Sequence, residues 1–317
     1  MADPRDIGNR KEVLRFERDA IAEAALSPSG RKLALVTTYW KTATLWVANV
    51  DGTNLQQLDQ SIPLGIRNLF WSRDSRVLAY NGVVAGETTV LNKAGTPVVE
   101  PTLLWTIDLL DPATGHKQHL VQANANEDLS VIGWSADGRA LYYLRSMPQY
   151  GLWTIVPSSG ESHVIVTLGN EPVLPILSPD GSKFLISTPE RLVWISADGQ
   201  ERGDMPITHP GWGYQVVWSI NAGKVIVSQM DEHQLIVHVN VIDLLTRESR
   251  NLGDFRPSPS GYGLRVLGIS PDHHWLAISE SIGPYFAHLP TGTTIPVSSQ
   301  NRGIVFVAWV PRMPISQ

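Results

Sequence analysis

A short unit recurs six times along this chain, and a repeat at intervals of this size restricts the fold to architectures assembled from like pieces. It reads Leu26-Ser27-Pro28-Ser29-Gly30-Arg31, Trp71-Ser72-Arg73-Asp74-Ser75-Arg76 and Trp134-Ser135-Ala136-Asp137-Gly138-Arg139. It returns as Leu177-Ser178-Pro179-Asp180-Gly181-Ser182, more weakly as Trp218-Ser219-Ile220-Asn221-Ala222-Gly223, and as Ile269-Ser270-Pro271-Asp272-His273-His274. The six serines are spaced 45, 63, 43, 41 and 51 residues apart. Proline fixes φ at the first corner, Asp or Asn bonds back to its own backbone, and glycine accepts positive φ, so each unit is a tight turn between two strands.

Each turn is followed by an apolar strand, a second strand such as Thr44 to Val50, a small polar turn such as Asp51-Gly52, and a short final strand such as Leu55 to Leu58. The expected order is four strands per repeat, A to D, with the serine ending A. A four-stranded blade cannot bury both faces alone, and radial packing supplies each with neighbours. The expectation is an all-β propeller, one domain over residues 1–317, with 1–18 an extension or closing strand. Ile304 to Pro311, with Trp309, has the pattern of a further A strand. A partial seventh blade closed by both termini is favoured, with six blades and an accessory strand as the alternative. Val13, Leu14 and Phe16 suit an edge strand or an amphipathic helix.

The Trp-Ser-Pro-Asp-Gly pattern, followed by a basic residue and an aliphatic strand, resembles the TolB-type, WD-repeat-like propeller family over roughly residues 20 to 310. Blades of this kind occur in periplasmic proteins, in noncatalytic domains of prolyl oligopeptidase-like enzymes and in some lyases. The resemblance therefore implies a scaffold and an extracytoplasmic setting, and leaves the activity open. Met1 to Arg18 lacks the apolar core of a signal peptide, and no apolar run is long enough to cross a bilayer as a helix.

A net charge of -5 gives no basic footprint for a phosphate backbone, so nucleic acid is not an expected partner. The absence of cysteine removes thiolate metal sites and cysteine nucleophiles. No Gly-x-Ser-x-Gly elbow occurs, and the repeated serines belong to turns. Asp231, Glu232 and His233 are neighbours on an extended chain, where adjacent side chains point apart, so they read as a polar loop. His273-His274 occupies the turn motif and reads as a turn variant. No catalytic residue, metal or cofactor is expected.

Repeat position also sorts the 11 tryptophans. Trp71, Trp134, Trp218 and Trp309 precede the serine position, Trp46, Trp105, Trp153 and Trp194 lie in C strands, and Trp275 opens a B strand; these nine are assigned to packing. Trp40 and Trp212 are left over. Both fall where B–C and D–A connections lie, an end of the blades that also carries Tyr39, Lys41, Tyr150, His209, Tyr214, His233, Tyr262, Arg265 and Tyr285. Aromatic and arginine enrichment on loops held by a rigid scaffold marks a binding surface. The expected function is noncatalytic binding of a protein or peptide through this face. The alternative is a lyase- or hydrolase-type propeller enzyme with a small-molecule site in its funnel. Asn81 to Pro101 reads as an unusually long loop on the same face.

Overall fold

A computed structural model describes residues 13–61, 65–147, 150–169, 175–187, 191–206, 215–219, 223–231, 236–256, 265–270, 272–280 and 283–296. The described residues contain no helix and form six four-stranded antiparallel sheets, each made of four strands in chain order. Blade 1 comprises β1 (Ala20–Leu26), β2 (Lys32–Tyr39), β3 (Thr42–Asn49) and β4 (Gln56–Ser61). Blade 2 comprises β5 (Arg67–Trp71), β6 (Leu78–Leu91), β7 (Pro97–Leu110) and β8 (Lys117–Gln122). Blade 3 is β9 (Leu129–Trp134), β10 (Leu141–Arg145), β11 (Tyr150–Ile155) and β12 (Ser162–Gly169).

These three blades form one compact unit, residues 16–175 with 197–199. The second unit holds 176–196 and the chain from Gln200 onward, together with 1–15. It contains blade 4, made of β13 (Ile176–Leu177), β14 (Lys183–Ser187), β15 (Arg191–Ser196) and β16 (Arg202–Pro206). Blade 5 follows as β17 (Gln215–Trp218), β18 (Lys224–Asp231), β19 (Ile236–Asp243) and β20 (Ser249–Phe255). Blade 6 is β21 (Arg265–Ile269), β22 (Trp275–Glu280), β23 (Gly283–His288) and β24 (Thr293–Pro296).

The repeated serine organises five of the six A–B turns through its hydroxyl. Oγ of Ser27, Ser72, Ser135, Ser178 and Ser270 accepts the backbone N–H five residues on, at 2.9 to 3.0 Å. Ser72 and Ser135 also donate to Asp74 and Asp137 at 2.6 Å, and these hydrogen bonds hold both carboxyls below their usual range. The third turn residue needs positive φ, which Gly138 and Gly181 adopt without strain; His273 takes the same place at φ 59.

The tryptophans before the serines join one blade to the one before it. Trp71 Nε1 donates to the Ala25 carbonyl at 3.0 Å, Trp134 to Phe70 at 3.1 Å, and Trp218 to Ile176 at 2.7 Å. Carboxylate and amide side chains make a second link. Glu23 accepts the N–H groups of Asn68 and Leu69, and buried Asn81 accepts Val131 N–H while donating to the Leu129 carbonyl. Apolar layers fill the space between, with Leu45, Leu78, Tyr80 and Leu110 in one cluster and Ile107, Leu129, Leu141 and Tyr143 in the next.

Two expectations change. Val13 to Arg18 is neither strand nor helix, because the first A strand begins at Ala20; Phe16 instead packs on Trp46, ring centroids 5.5 Å apart. Asn81 to Pro101 is not a loop. Strands β6 and β7 pair without interruption from Leu78↔Leu110 to Leu91↔Pro97, a two-stranded ribbon that projects past the blade and accounts for the 63-residue interval. The expected closing strand Ile304 to Pro311 lies outside the described residues, and blade 1 takes all four of its strands from Ala20 to Ser61.

Candidate partner-binding face

The B–C connection of blade 1 is a two-residue turn, Trp40-Lys41, closed by the Tyr39↔Thr42 pair. Such turns match the twist of the flanking strands only when a central residue has positive φ, which is why glycine or asparagine usually occupies them. Here that residue is Trp40, at φ 55, and its side chain is 85% exposed. Tyr39 beside it is 54% exposed, and Lys41 is exposed as well. A bulky residue at positive φ is a true backbone outlier, with a cost of order 1–3 kcal/mol. No burial offsets it.

Blade 2 and blade 3 bring together a group that repeat position alone does not reveal. The Arg67 guanidinium lies 3.9 Å from the centroid of the Trp105 ring and donates to Asp128 at 2.6 Å. The loop bearing Asp128 is anchored by its neighbour Glu127, whose side chain is buried and bonded to Arg145 at 2.6 and 2.9 Å. Burial raises the Glu127 pKa, but the hydrogen bonds from Arg145 and the Asn124 backbone outweigh it and leave the carboxyl low. This end of the unit is therefore a stiff, mixed aromatic and charged surface. Arg67 and Trp105 are 38 positions apart in the sequence, and only blade geometry joins them.

The other expected face residues divide three ways. Tyr150 opens β11, half-buried, opposite Gly169. Tyr285 is 7% exposed and packs edge-on against Phe255, centroids 6.3 Å apart, so its ring is a core element of blades 5 and 6 rather than a projecting one. Arg265 lies in β21 with its backbone opposite Ser279. His209, Trp212, Tyr214, His233 and Tyr262 lie outside the described residues.

In the second unit, among the A–B and C–D turns of blades 5 and 6, is a cavity of about 460 Å³ lined by Lys224, Asp243, Glu248, Arg250 and His273. His273 Nε2 lies 2.9 Å from Ser219 Oγ in the preceding blade. Burial, followed by the nearby positive charge of Arg250, lowers the pKa of this imidazole. Ser219 is completely buried, so no substrate reaches its hydroxyl. The adjacent carboxylate, Asp272, is engaged by Ser270 instead of orienting the imidazole. The pair is a turn-to-turn link between blades. Among the described residues no group of three or more His, Asp or Glu is arranged to hold a metal ion.

No family model matches the chain, and no curated protein matches it in sequence. Solved structures do. An oligogalacturonate lyase in complex with manganese superposes with a TM-score of 0.64 at 16% identity, covering 91% of this chain and 80% of that one. The β-propeller domain of Cps50 (Swd1) from Myceliophteria thermophila gives 0.60 at 13% identity, covering 92% and 90%. A prolyl endopeptidase gives 0.59 at 14%, covering 89% of this chain and 42% of that one. The fold is accordingly the all-β propeller that the TolB-type, WD-repeat-like motif implies, with six four-stranded blades among the described residues in place of the favoured count with a partial seventh. Its neighbours include both enzymes and the propeller domain of Swd1, and at these identities the likeness concerns fold alone.

Proposed function

We propose that the protein is a noncatalytic propeller scaffold that binds a protein or peptide through the loop face carrying Tyr39, Trp40 and Lys41, with Tyr150 in the same unit. One observation carries this reading: Trp40 is 85% exposed at a turn position whose φ of 55 disfavours it. Neither packing nor turn geometry selects tryptophan there, whereas a partner's pocket does. Exposed Trp and Tyr held on a stiff hairpin are the residues that most often anchor interfaces, since they bring large contact area with few rotors to freeze. The stacked Arg67–Trp105 pair provides a second aromatic and cationic element in the same unit.

The enzyme reading, a lyase or hydrolase with a small molecule in the funnel, has fold likeness alone behind it. The test is affinity capture from extract of the source organism with wild-type protein and Trp40→Gly side by side. The proposal expects a partner retained stoichiometrically by the wild type and lost from the variant. Identical captured sets, or turnover of an oligosaccharide or peptide substrate by both proteins, would overturn it.

A further inference from the structure

The ribbon of blade 2 has two unlike edges. Among the described residues β6 has no partner but β7 beyond Asn81, since β5 pairs with it only as far as Arg67↔Asn81; β7 is joined by β8 only from Thr106 onward. In an antiparallel ladder, residues alternate between exchanging hydrogen bonds inward and pointing their N–H and C=O outward. Asn92 N–H donates to the Thr96 carbonyl at 3.0 Å, which makes the even-numbered pairs the inward ones. On the other edge, Trp105 C=O accepts Ala123 N–H at 2.8 Å, as an outward-facing odd residue must. The outward positions of β7 thus include Pro97 and Pro101, which have no N–H to offer. The outward positions of β6 beyond the blade are Ala85, Glu87, Thr89 and Leu91, each with its donor and acceptor.

Exposed strand edges are ordinarily blunted because they template further pairing, and proline is a standard means. Here only the β7 edge is blunted. The face beside the open edge is also apolar and uncovered: Leu91 is 70% exposed, Val99 63% and Leu103 40%. A two-stranded ribbon in water is marginally stable by itself, and a third strand supplies what it lacks.

We infer that the β6 edge from Ala85 to Leu91 is a strand-addition site for an extended segment of another protein, apolar at alternate positions and basic opposite Glu87. Charge selects this occupant over a second copy of the chain. Glu87 is exposed, is the single charged residue of β6, and has no ion-pair partner among the described residues. Two copies paired antiparallel along this edge with Glu87 opposite Glu87 or Thr89 place the two carboxylates opposite or diagonal to one another, a destabilising arrangement that a basic residue reverses. The site stands on the ribbon's hydrogen-bonding pattern and is independent of Trp40.

The probe is a synthetic peptide alternating valine and threonine with a central lysine, compared with an analogue N-methylated at the amides that face the edge. The wild-type protein should bind the first and not the second, with slowed hydrogen exchange at the amides of Ala85, Glu87 and Thr89. Thr89→Pro removes one outward donor and leaves the ribbon's own bonds intact, and should weaken binding about tenfold. Glu87→Lys should weaken the lysine peptide and favour a glutamate counterpart, each by a factor of up to about five. Trp40→Gly should bind the peptide as wild type does. Absence of protection at saturating peptide, protection at Val99 and Leu103 instead, unchanged affinity in Thr89→Pro, or loss of peptide binding in Trp40→Gly overturns the inference. So does a peptide-free dimer abolished by Thr89→Pro, which would make the second copy the occupant.

Discussion

The indole N–H of Trp134 donates to the backbone carbonyl of Phe70 across 3.1 Å, tying the A strand of blade 3 to that of blade 2. The same bond from Trp71 to Ala25 and from Trp218 to Ile176 makes it a property of the repeat. Trp134→Phe keeps most of the buried ring and leaves the Phe70 carbonyl without that partner, so it should cost about 1–3 kcal/mol. Trp134→Ala should cost about 3–5 kcal/mol through the added cavity. Urea unfolding of both variants checks the order, and a Trp134→Phe variant as stable as the wild type would show that the hydrogen bond contributes nothing.

A charge network around buried Asp108 joins blades 1 and 2. Asp108, with a side chain 1% exposed, is met by Lys117 at 3.2 Å, by His119 and by the Thr106 hydroxyl, while Lys117 also reaches Asp59 at 2.7 Å. Burial pulls the Lys117 pKa down, but the two carboxylates outweigh it and hold it above the usual 10.5. A raised folded-state pKa means the contribution is complete below the unfolded value near 10.5 and fades as pH climbs through the folded one. Lys117→Met should cost about 3 kcal/mol near neutrality, toward the low end for breaking a buried pair because the lysine is partly exposed. Its melting curve should also lose the wild-type decline above pH 10.5.

Acid acts on the turns. Hydrogen bonds from Ser72 and Ser135 depress the carboxyls of Asp74 and Asp137 below the usual 3.8, so the folded chain binds fewer protons there than the unfolded one. Stability from these groups is present above pH 3.8 and is lost as pH falls through the lower folded values. The double variant Asp74→Asn, Asp137→Asn should have a shallower loss of melting temperature below pH 3.8 than the wild type. Parallel acid profiles would contradict the role given to these turns.

The six four-stranded repeats and the turn chemistry were legible because most repeats carry their own local signal, a serine hydroxyl with a turn carboxylate and a residue at positive φ, whereas the favoured partial seventh blade rests on Ile304 to Pro311, outside the described residues. The packing tryptophans were legible for the same reason, although their hydrogen bonds to the preceding blade were not. The ribbon was misread because Gly82, Gly86, Gly95, Pro97 and Pro101 suggest a loop. Their positions are compatible with strand pairing, with the prolines on outward-facing sites and Gly86 making room for Leu104 across the ladder. Tyr285 was placed on the face by its position near a strand end, where the sequence does not tell an inward ring from an outward one. The Arg67–Trp105 stack joins residues from two strands of one blade, and no local pattern announces it.

The central claim rests on Trp40, and Trp40→Gly tests it in a way that truncation to alanine does not. Glycine accepts φ 55 freely, so relief of strain should leave the folded state as stable as the wild type or more so by about 1 kcal/mol. Loss of an interface anchor should meanwhile weaken partner affinity by about 1–4 kcal/mol. Thermal unfolding and partner affinity measured on the same preparation of Trp40→Gly are therefore predicted to move in opposite directions. A destabilised variant that binds its partner as tightly as the wild type would contradict the account, because it would make Trp40 a support of the fold instead of a contact for a partner.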